Sequence, residues 1–255
     1  MESLKEERIK TDPYSTIADI YDVLMDHVDY AGWTDYILVL CTSQGHSPNK
    51  ILECACGTGS FLKEFSKRGV THTAGFDISM QMLKAAQNKL EKNSIDHSLF
   101  QADLISIPVR SDFDTVLCFY DSINYLKSIS DVEKALINMW DLVQPGGVMI
   151  FDVSTDQNSL KNFDKKNYAF IFENYNCKRR SFYRQEDRIQ VTDIMITDKR
   201  DAKTFTERHI QHIYPYESIF RIAKKLPKAE VLLFNDYSFD PPDSKSERVH
   251  FYVMK

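Results

Sequence analysis

Several features that mark other classes of protein are missing from this sequence. No apolar run reaches the ~18 residues that a membrane-spanning helix requires. The N-terminal residues, MESLKEERIK, lack the apolar centre of a signal peptide. The formal net charge is −5, so the basic excess typical of nucleic-acid-binding proteins is also missing. We therefore expect a cytoplasmic protein with neither a membrane nor a nucleic acid as its partner.

The five cysteines do not show the spacing of a metal site. Cys54 and Cys56 form a C-x-C pair without a nearby pair of histidines, whereas Cys41, Cys118 and Cys177 are isolated. Structural zinc sites need about four ligands at regular spacing. We expect no metal, and we expect reduced thiols that pack as small apolar side chains.

Between residues 50 and 153, short apolar runs alternate with segments of helical spacing. The predicted strands cover 50–54, 73–76, 98–101, 113–119 and 147–153, and the predicted helices cover 60–68, 79–92 and 131–143. Such alternation predicts a parallel sheet with right-handed crossovers. Ser79 is placed to cap the second of these helices, and Ser130 or Asp131 the third.

After Val153 the pattern changes to period-two alternation, which predicts antiparallel strands over about 160–214. A helix at 216–226 and two apolar runs, AEVLLFND and RVHFYVM, then return the chain to the first sheet. Because the insertion leaves the carboxyl end of a central strand, where open α/β sheets bind ligands, we expect it to cover the site as a lid. A solubilising or dimerising role is the alternative.

We divide the chain into three parts on this basis. Residues 1–45 form an N-terminal helical cap, 46–155 and 215–255 form the core, and 156–214 form the inserted β subdomain. Within the cap, the spacing predicts helices over Tyr14–Met25 and Trp33–Cys41, whereas residues 1–12 are expected to be frayed.

A glycine-rich turn follows the first strand, in KILECACGTG (50–59). The dinucleotide fingerprint G-x-G-x-x-G would need glycine where Ala55 and Ser60 stand, so that pattern fails. Glu53, at the strand end, would also repel a pyrophosphate. S-adenosylmethionine, a nucleoside with a positive end and no phosphate, suits these residues better.

Acidic residues also end the next two predicted strands. Asp77 comes about 20 residues after the glycine turn, where doubly wound folds place the carboxylate that binds ribose hydroxyls. Asp103 follows Ser98–Gln101 in the same way.

The order of ECACGTGSF, GFDIS, QADL, FDTVLCF and PGGVMIFDV resembles the class I S-adenosylmethionine-dependent methyltransferases. The C-G-T-G turn and the N-terminal YDVLMDHVDYAGW are similar to the branch that contains glycine N-methyltransferase and the amino-sugar N,N-dimethyltransferases. The resemblance implies an α/β fold: a doubly wound, mostly parallel seven-stranded sheet (Rossmann-like), here with an inserted antiparallel β lid.

The resemblance also implies which residues bind the cofactor. Glu53, Ala55 and Gly57 would line the methionine end, and Gly59 would let the backbone come close. Asp77 would bind the ribose. The remaining predicted contacts are Ile78 and Met82 against adenine and ribose, Asp103 and Leu104 at the adenine edge, Phe119 at the floor, and Tyr21 and Trp33 over the methionine portion.

Acceptor-side candidates come from the turn after the fourth strand, YDSINY (120–125), and from the last lid strand. Tyr120 and Asn124 could orient a polar acceptor, and Asp121 could favour an amine or act as a base. His209 and His212 lie three apart, so at most one of them faces the site, and His209 is the candidate.

The function predicted from the sequence is methyl transfer from S-adenosylmethionine to nitrogen or oxygen of a small polar metabolite. The alternatives are a methyltransferase that modifies tRNA or protein, and a non-catalytic S-adenosylmethionine-binding protein. We expect a monomer or a homodimer.

Overall fold

The computed structural model describes residues 8–109 and 113–255, which form two β-sheets. The strands are β1 (Arg8–Lys10), β2 (Lys50–Cys54), β3 (His72–Asp77), β4 (His97–Gln101), β5 (Phe113–Cys118), β6 (Val143–Ser154), β7 (Lys166–Ile171), β8 (Tyr175–Arg184), β9 (Ile189–Asp198), β10 (Thr204–His212), β11 (Glu230–Asn235) and β12 (Arg248–Met254). The α-helices are α1 (Tyr21–Leu24), α2 (Tyr30–Ser43), α3 (Ser60–Lys67), α4 (Met80–Lys92), α5 (Ile129–Asp141), α6 (Asp156–Asn158) and α7 (Tyr216–Ala223). Tighter or wider helical turns occur at Ile17–Asp19, Ser122–Tyr125 and Ser159–Phe163.

The larger sheet has seven strands in the order β11-β12-β6-β5-β2-β3-β4. β4, β3, β2, β5 and β6 run parallel, and β12 is antiparallel to both of its neighbours. The predicted fold class is therefore confirmed, including the additional antiparallel sheet. Because β2 lies between β3 and β5, the turns that follow these three strands meet at one edge of the sheet.

Helices cover both faces of the larger sheet, which is why its strands are apolar on both sides. On one face α5 and α7 bury Trp140 and Ile219 in the larger core cluster. On the other face α2 and α3 bury Ile37 and Phe65 beside Ile51 of β2.

The second sheet has the order β1-β10-β9-β8-β7. β7 to β10 form an antiparallel meander, and β1 pairs in parallel with β10. Residues 1–7 of the segment expected to be frayed lie outside the described residues. For Arg8–Lys10 the expectation is wrong, because these residues form a strand of the second sheet.

The predicted continuous helix over Tyr14–Met25 is also wrong. Glu207 of β10 accepts hydrogen bonds from the backbone N–H groups of Tyr14 (2.8 Å), Thr16 (2.7 Å) and Ile17 (2.9 Å). Because these N–H groups bond to a carboxylate of the second sheet, they are not bonded within a continuous helix. The chain instead makes a short helical turn at Ile17–Asp19 before α1. The apolar spacing still predicted burial correctly, since Ile17 and Leu24 belong to a cluster against this sheet.

Helix capping was only partly predictable. The Ser79 hydroxyl accepts from the Met82 N–H at 3.3 Å, so the predicted cap of α4 is confirmed. α5 begins earlier than predicted, and its cap is Ser128, whose hydroxyl accepts from the Asp131 N–H at 3.1 Å. Ser130 is therefore not the cap, and Asp131 is a partner of the cap.

His250 on β12 provides a test of the core by pH. Its ring is fully buried beside Trp33 (centroids 5.5 Å apart) and Tyr36 (5.4 Å). Burial, helped by the positive charge of Arg248, lowers the pKa of His250 to about 3. The folded protein therefore keeps this ring neutral while the unfolded chain takes up a proton below its ordinary pKa of about 6.5.

We expect His250→Phe to flatten the pH dependence of unfolding. Below pH ~6.5 the native histidine makes the folded state lose stability by up to ~1.4 kcal/mol per pH unit, and phenylalanine removes this contribution. Urea unfolding at a series of pH values measures it, with the exposed His72→Phe as the control. Equal slopes for His250→Phe and the native chain would contradict the assignment.

Candidate functional site

A cavity of about 810 Å³ opens at the carboxyl ends of β2, β3, β4 and β5. Its walls are the turns that follow these strands, and residues Asp12–Ser15 of the N-terminal segment close one side. Of the predicted residues, the following line it: Tyr21, Glu53, Ala55, Gly57, Asp77, Ile78, Met82, Asp103, Leu104, Phe119 and Tyr120. The topology of the sheet therefore brings most of the predicted site together.

The glycine-rich turn between β2 and α3 is built from left-handed backbone. Ala55, Gly57 and Gly59 have φ of 54°, 53° and 71°. A Cβ at Gly57 would meet no atom within 4 Å, so this position leaves open space at the cavity wall. A Cβ at Gly59 would lie 3.3 Å from the Cβ of Ala86, so Gly59 allows α3 to approach α4 and does not line the cavity.

Asp77 joins two turns at the sheet edge. Its Oδ2 accepts from the Gly57 N–H at 2.9 Å, and its Oδ1 accepts from the Ser79 N–H at 2.8 Å. Burial raises the pKa of Asp77, and these backbone donors oppose the rise. Each carboxylate oxygen keeps a further lone pair, so the group can still accept hydrogen bonds from a ligand.

Glu53 is a buried carboxyl with an unused oxygen. Its side chain is 3% exposed and borders the cavity, and Oε2 has no hydrogen-bond partner among the described residues. Burial raises the pKa of Glu53 well above its usual range. A positively charged ligand group in the cavity would satisfy this oxygen, which fits the ammonium group of S-adenosylmethionine.

A set of polar contacts centred on Lys89 holds helix α1, which begins at Tyr21, beside the glycine turn. These contacts were not predicted from the sequence. The ammonium group of Lys89 on α4 contacts Asp22 (2.7 Å), Thr58 (2.8 Å) and Ser60 (2.8 Å). Thr58 also donates to Asp22 at 2.7 Å. These contacts hold α1 and α4 against the turn. Thr58 and Ser60 belong to the glycine-rich motif, but no sequence pattern predicts that they contact Lys89.

The opposite end of the cavity is formed by Ile78, Met82, Asp103 and Leu104. Ile78 is largely exposed, whereas Met82 is buried and also packs against Ile17 of the N-terminal segment. One oxygen of Asp103 accepts from the Ile105 N–H at 3.1 Å, which orients the carboxylate at this edge.

Trp33 lies deeper than predicted. It is 1% exposed and packs against Phe61, Phe119 and Tyr120, with the Arg248 guanidinium 5.1 Å from its ring centroid. It does not line the cavity but supports Phe119 and Tyr120, which do.

Asp121 and Asn124 lie behind the cavity wall. Asp121 is paired with Arg248 (Oδ1 to Nη2, 2.8 Å) and accepts from Gln211 of β10. Asn124 donates to the His212 carbonyl (2.9 Å) and accepts from the Ser154 N–H (2.9 Å). These contacts fix the turn after β5 to both sheets.

Tyr120 and Asp121, which begin this turn, both have positive φ, 60° and 50°. Such backbone is costly for non-glycine residues and persists where its surroundings hold it. The Asp121 N–H donates to Asp152 Oδ2 at 3.0 Å, and Asp152 is also paired with Arg248. The network directs the Tyr120 ring into the cavity wall.

His209 lies one layer behind the cavity, in a chain of hydrogen-bonding groups. The hydroxyls of Tyr14 and Tyr125, which both line the cavity, are 2.6 Å apart. The Tyr125 hydroxyl is 3.1 Å from His209 Nδ1, and His209 Nε2 is 3.3 Å from Glu207 Oε2. Burial opposes ionisation of Glu207, but its hydrogen bonds prevail and lower its pKa.

Tyr14, Tyr125 and Glu207 were not predicted as site residues. Glu207 and His209 are two apart on β10, which places them on one face of a strand and was the only local signal. Burial raises the pKa of both Tyr14 and Tyr125, so their hydroxyls keep their protons in the resting state.

Comparison with known proteins relates this chain to methyltransferases. Residues 51–147 match the family described as methyltransferase domain. The putative methyltransferase YqeM of Bacillus subtilis is 29% identical over 95% of this chain and 97% of its own length. The crystal structure of a S-adenosylmethionine-dependent methyltransferase from Clostridium acetobutylicum aligns with a TM-score of 0.80 and 25% identity, over 94% of this chain and 97% of that one. These matches confirm the predicted resemblance to the class I S-adenosylmethionine-dependent methyltransferases.

This methyltransferase is thus an enzyme, and its predicted cofactor, S-adenosylmethionine, is the methyl donor of the family. A dTDP-3-amino-3,4,6-trideoxy-alpha-D-glucopyranose N,N-dimethyltransferase of Streptomyces venezuelae is 31% identical over 53% of this chain and 56% of its own length. The predicted similarity to amino-sugar methyltransferases is confirmed by this relative.

Within residues 8–109 and 113–255, no group of three or more His, Cys, Asp or Glu is placed to hold a metal ion. All five cysteines are free and buried. No helix in the described part of the chain is both long and apolar enough to cross a membrane.

Glu53→Gln should change donor binding and stability in opposite directions. It keeps the side-chain shape but removes the carboxylate, so S-adenosylmethionine should bind more weakly by about 1.5–3 kcal/mol. Without donor, the free energy of unfolding should rise. This gain should grow with pH, because the unfolded carboxyl ionises while the buried one resists ionisation.

Titration calorimetry and urea unfolding at two pH values measure these changes. Glu64→Gln is the control, because Glu64 on α3 lies outside the cavity lining and is paired with Lys67 and Arg68. It should lower stability and leave donor affinity unchanged. Unaltered donor binding by Glu53→Gln would refute the role of Glu53.

Proposed function

We propose that this methyltransferase transfers a methyl group to a nitrogen or oxygen of a small polar metabolite. The observation that carries the proposal is the lining of the cavity beyond Glu53. There the lining includes four residues that bear hydroxyl groups, Tyr14, Tyr120, Ser122 and Tyr125. Hydroxyl groups suit an acceptor with hydrogen-bonding atoms, and the N-terminal segment limits the size of what can enter.

At the donor end of the cavity, different residues bind different parts of S-adenosylmethionine. Glu53 receives the ammonium group, with Ala55 and Gly57 beside it, and Tyr21 covers this portion. Asp77 accepts from the ribose hydroxyls, whereas Asp103 and Leu104 border the adenine. S-adenosylmethionine, when bound, supplies an electrophilic methyl group with a neutral thioether as its leaving group. The protein's main task is therefore to align the acceptor and exclude water.

An acceptor nitrogen or hydroxyl must also lose a proton. The tyrosine pair Tyr14–Tyr125 borders the acceptor, and His209 contacts Tyr125 through Nδ1. Because Glu207 receives the hydrogen bond from Nε2, Nδ1 is the free acceptor nitrogen of the neutral ring. A proton can therefore pass through the tyrosine hydroxyls to His209, and Glu207 stabilises the resulting cation.

The relatives support nitrogen as one target atom. The Streptomyces venezuelae relative is named for N,N-dimethylation of an amino sugar, and its similarity extends over 53% of this chain. An amine is also the group for which a proton-accepting chain beside the methyl position is most useful, because amines are protonated at neutral pH.

Transfer of a methyl label tests the proposal directly. The purified enzyme is incubated with donor labelled in the methyl group and with three fractions of a cell extract: small molecules, RNA and protein. We expect label in the small-molecule fraction, and none with an enzyme inactivated at the donor end by the double change Glu53→Gln and Asp77→Asn. Label in RNA or protein, or donor binding without transfer to any fraction, would refute the proposal.

His209→Gln tests the proton path. We expect a fall in kcat of roughly 10²-fold or more near neutral pH, because general-base assistance is lost. The rate should recover in part at high pH, where the acceptor loses its proton unaided, and donor affinity should not change. His212→Gln is the matched control on the same strand. A pH-independent loss, or equal losses in both variants, would contradict the proton path.

A further inference from the structure

The ammonium group of Lys89 on α4 uses all of its hydrogen-bond donors within the protein. Its Nζ lies 2.7 Å from Asp22 Oδ1 and 2.8 Å from each of the hydroxyls of Thr58 and Ser60. An ammonium group has three donors and no acceptor, so three partners are its full complement. The partners belong to α1, to the glycine-rich turn and to the start of α3. Lys89 therefore joins three segments of the chain to its own helix.

These contacts are sheltered from water on the side of the turn. The Lys89 side chain is 14% exposed, and Thr58 is 2% exposed. The Asp22 side chain is 51% exposed, but the oxygen that meets Lys89 also accepts from the Thr58 hydroxyl at 2.7 Å. Lys89, Asp22 and Thr58 thus form a closed triangle of contacts. Such an arrangement is screened less by salt than an isolated ion pair at the surface.

Helix α1 depends on contacts with other elements for its position. It has only four residues, too few for a helix that is stable alone. On one side Leu24, together with Ile20 just before the helix, packs in the apolar cluster against the second sheet. On the other side Asp22 bonds to Lys89 and the glycine turn. The helix is therefore held by one apolar contact surface and one ionic contact.

Tyr21 is the residue through which α1 reaches the cavity. It lines the cavity near Thr58 and Ser60, whereas Lys89 and Asp22 are not part of the lining. Because Asp22 follows Tyr21 directly in the chain, the position of its carboxylate also determines where the Tyr21 ring lies. An effect of Lys89 on a ligand in the cavity must therefore pass through its contact partners.

We propose that Lys89 is a positioning residue for the methyl donor: it holds α1 against the glycine-rich turn, so that Tyr21 covers the methionine end of S-adenosylmethionine and slows its dissociation. The inference rests on the donor arrangement given under the proposed function, and it adds a side chain outside the cavity lining to that arrangement. It does not depend on which acceptor is methylated. Donor affinity depends on the charge of Lys89, and the transfer step does not.

The first experiment compares Lys89→Met and Lys89→Arg with the native enzyme by titration calorimetry with S-adenosylmethionine and no acceptor. Lys89→Met should bind the donor roughly 10-fold more weakly or worse, because the charged hydrogen bonds that hold α1 are lost. Lys89→Arg keeps the charge and should recover part of the affinity. In displacement measurements most of the loss should appear as faster dissociation of the donor. In the label-transfer assay, kcat at saturating donor should change much less than the donor KM.

The second experiment tests the route through Asp22. Asp22→Asn removes the carboxylate at a half-exposed position, so the fold should be retained and donor binding should weaken. The double variant Asp22→Asn/Lys89→Met should bind the donor no more weakly than Lys89→Met alone, because both changes break the same contact. If the two losses simply add, Lys89 acts by another route and the assignment is wrong.

Lys92→Met is the matched control. Lys92 lies on the same helix, is exposed and does not line the cavity. It should leave donor affinity and dissociation as in the native enzyme. Native donor binding by a folded Lys89→Met, with folding checked by urea unfolding, or an equal loss in Lys92→Met, would overturn the inference. A failure to label small molecules would instead refute the proposed function and leave this inference standing, because donor binding is measured without acceptor.

Discussion

The hydrogen bonds that Asp77 accepts from the N–H groups of Gly57 and Ser79 are the contacts on which the donor end of the cavity depends. They join the turn after β2 to the turn after β3, so that two neighbouring strand ends share one carboxylate. Ser79 also caps α4, and its hydroxyl donates to the Tyr14 carbonyl at 3.0 Å. One buried acid thus links the glycine turn, the following helix and the N-terminal segment that closes the cavity.

The acceptor end depends on a second carboxylate in a different part of the fold. Glu207 lies on β10, yet it receives backbone hydrogen bonds from the N-terminal segment and a contact from His209. The same group therefore orders the segment that bears Tyr14 and completes the chain from Tyr125. The position of Tyr14 in the cavity wall and the proposed proton transfer to His209 are therefore coupled, because both depend on the Glu207 carboxylate.

Glu53 is costly to the fold and useful to a ligand. Its side chain is buried, and Oε2 has no hydrogen-bond partner among the described residues. A buried carboxyl of this kind destabilises a folded protein, because burial removes water without supplying a partner. Arg248, by contrast, is paired with both Asp121 and Asp152. The cost at Glu53 is consistent with a site that receives the cationic end of the donor.

Local sequence determined much of the core. Apolar runs bounded by turns predicted the strands of the larger sheet, and the acids at their ends predicted Glu53, Asp77 and Asp103 at one edge, since parallel strands end together. Spacing also predicted that Ile17 and Leu24 are buried. It could not predict the short turns in which they lie, because the N–H groups there bond to Glu207, far away in the chain. Likewise the partners of Lys89, Arg248 and Tyr125 come from segments that only folding brings together. Periodicity reports which face of an element is buried, but the residue that meets that face is decided by the packing of one sheet on the other.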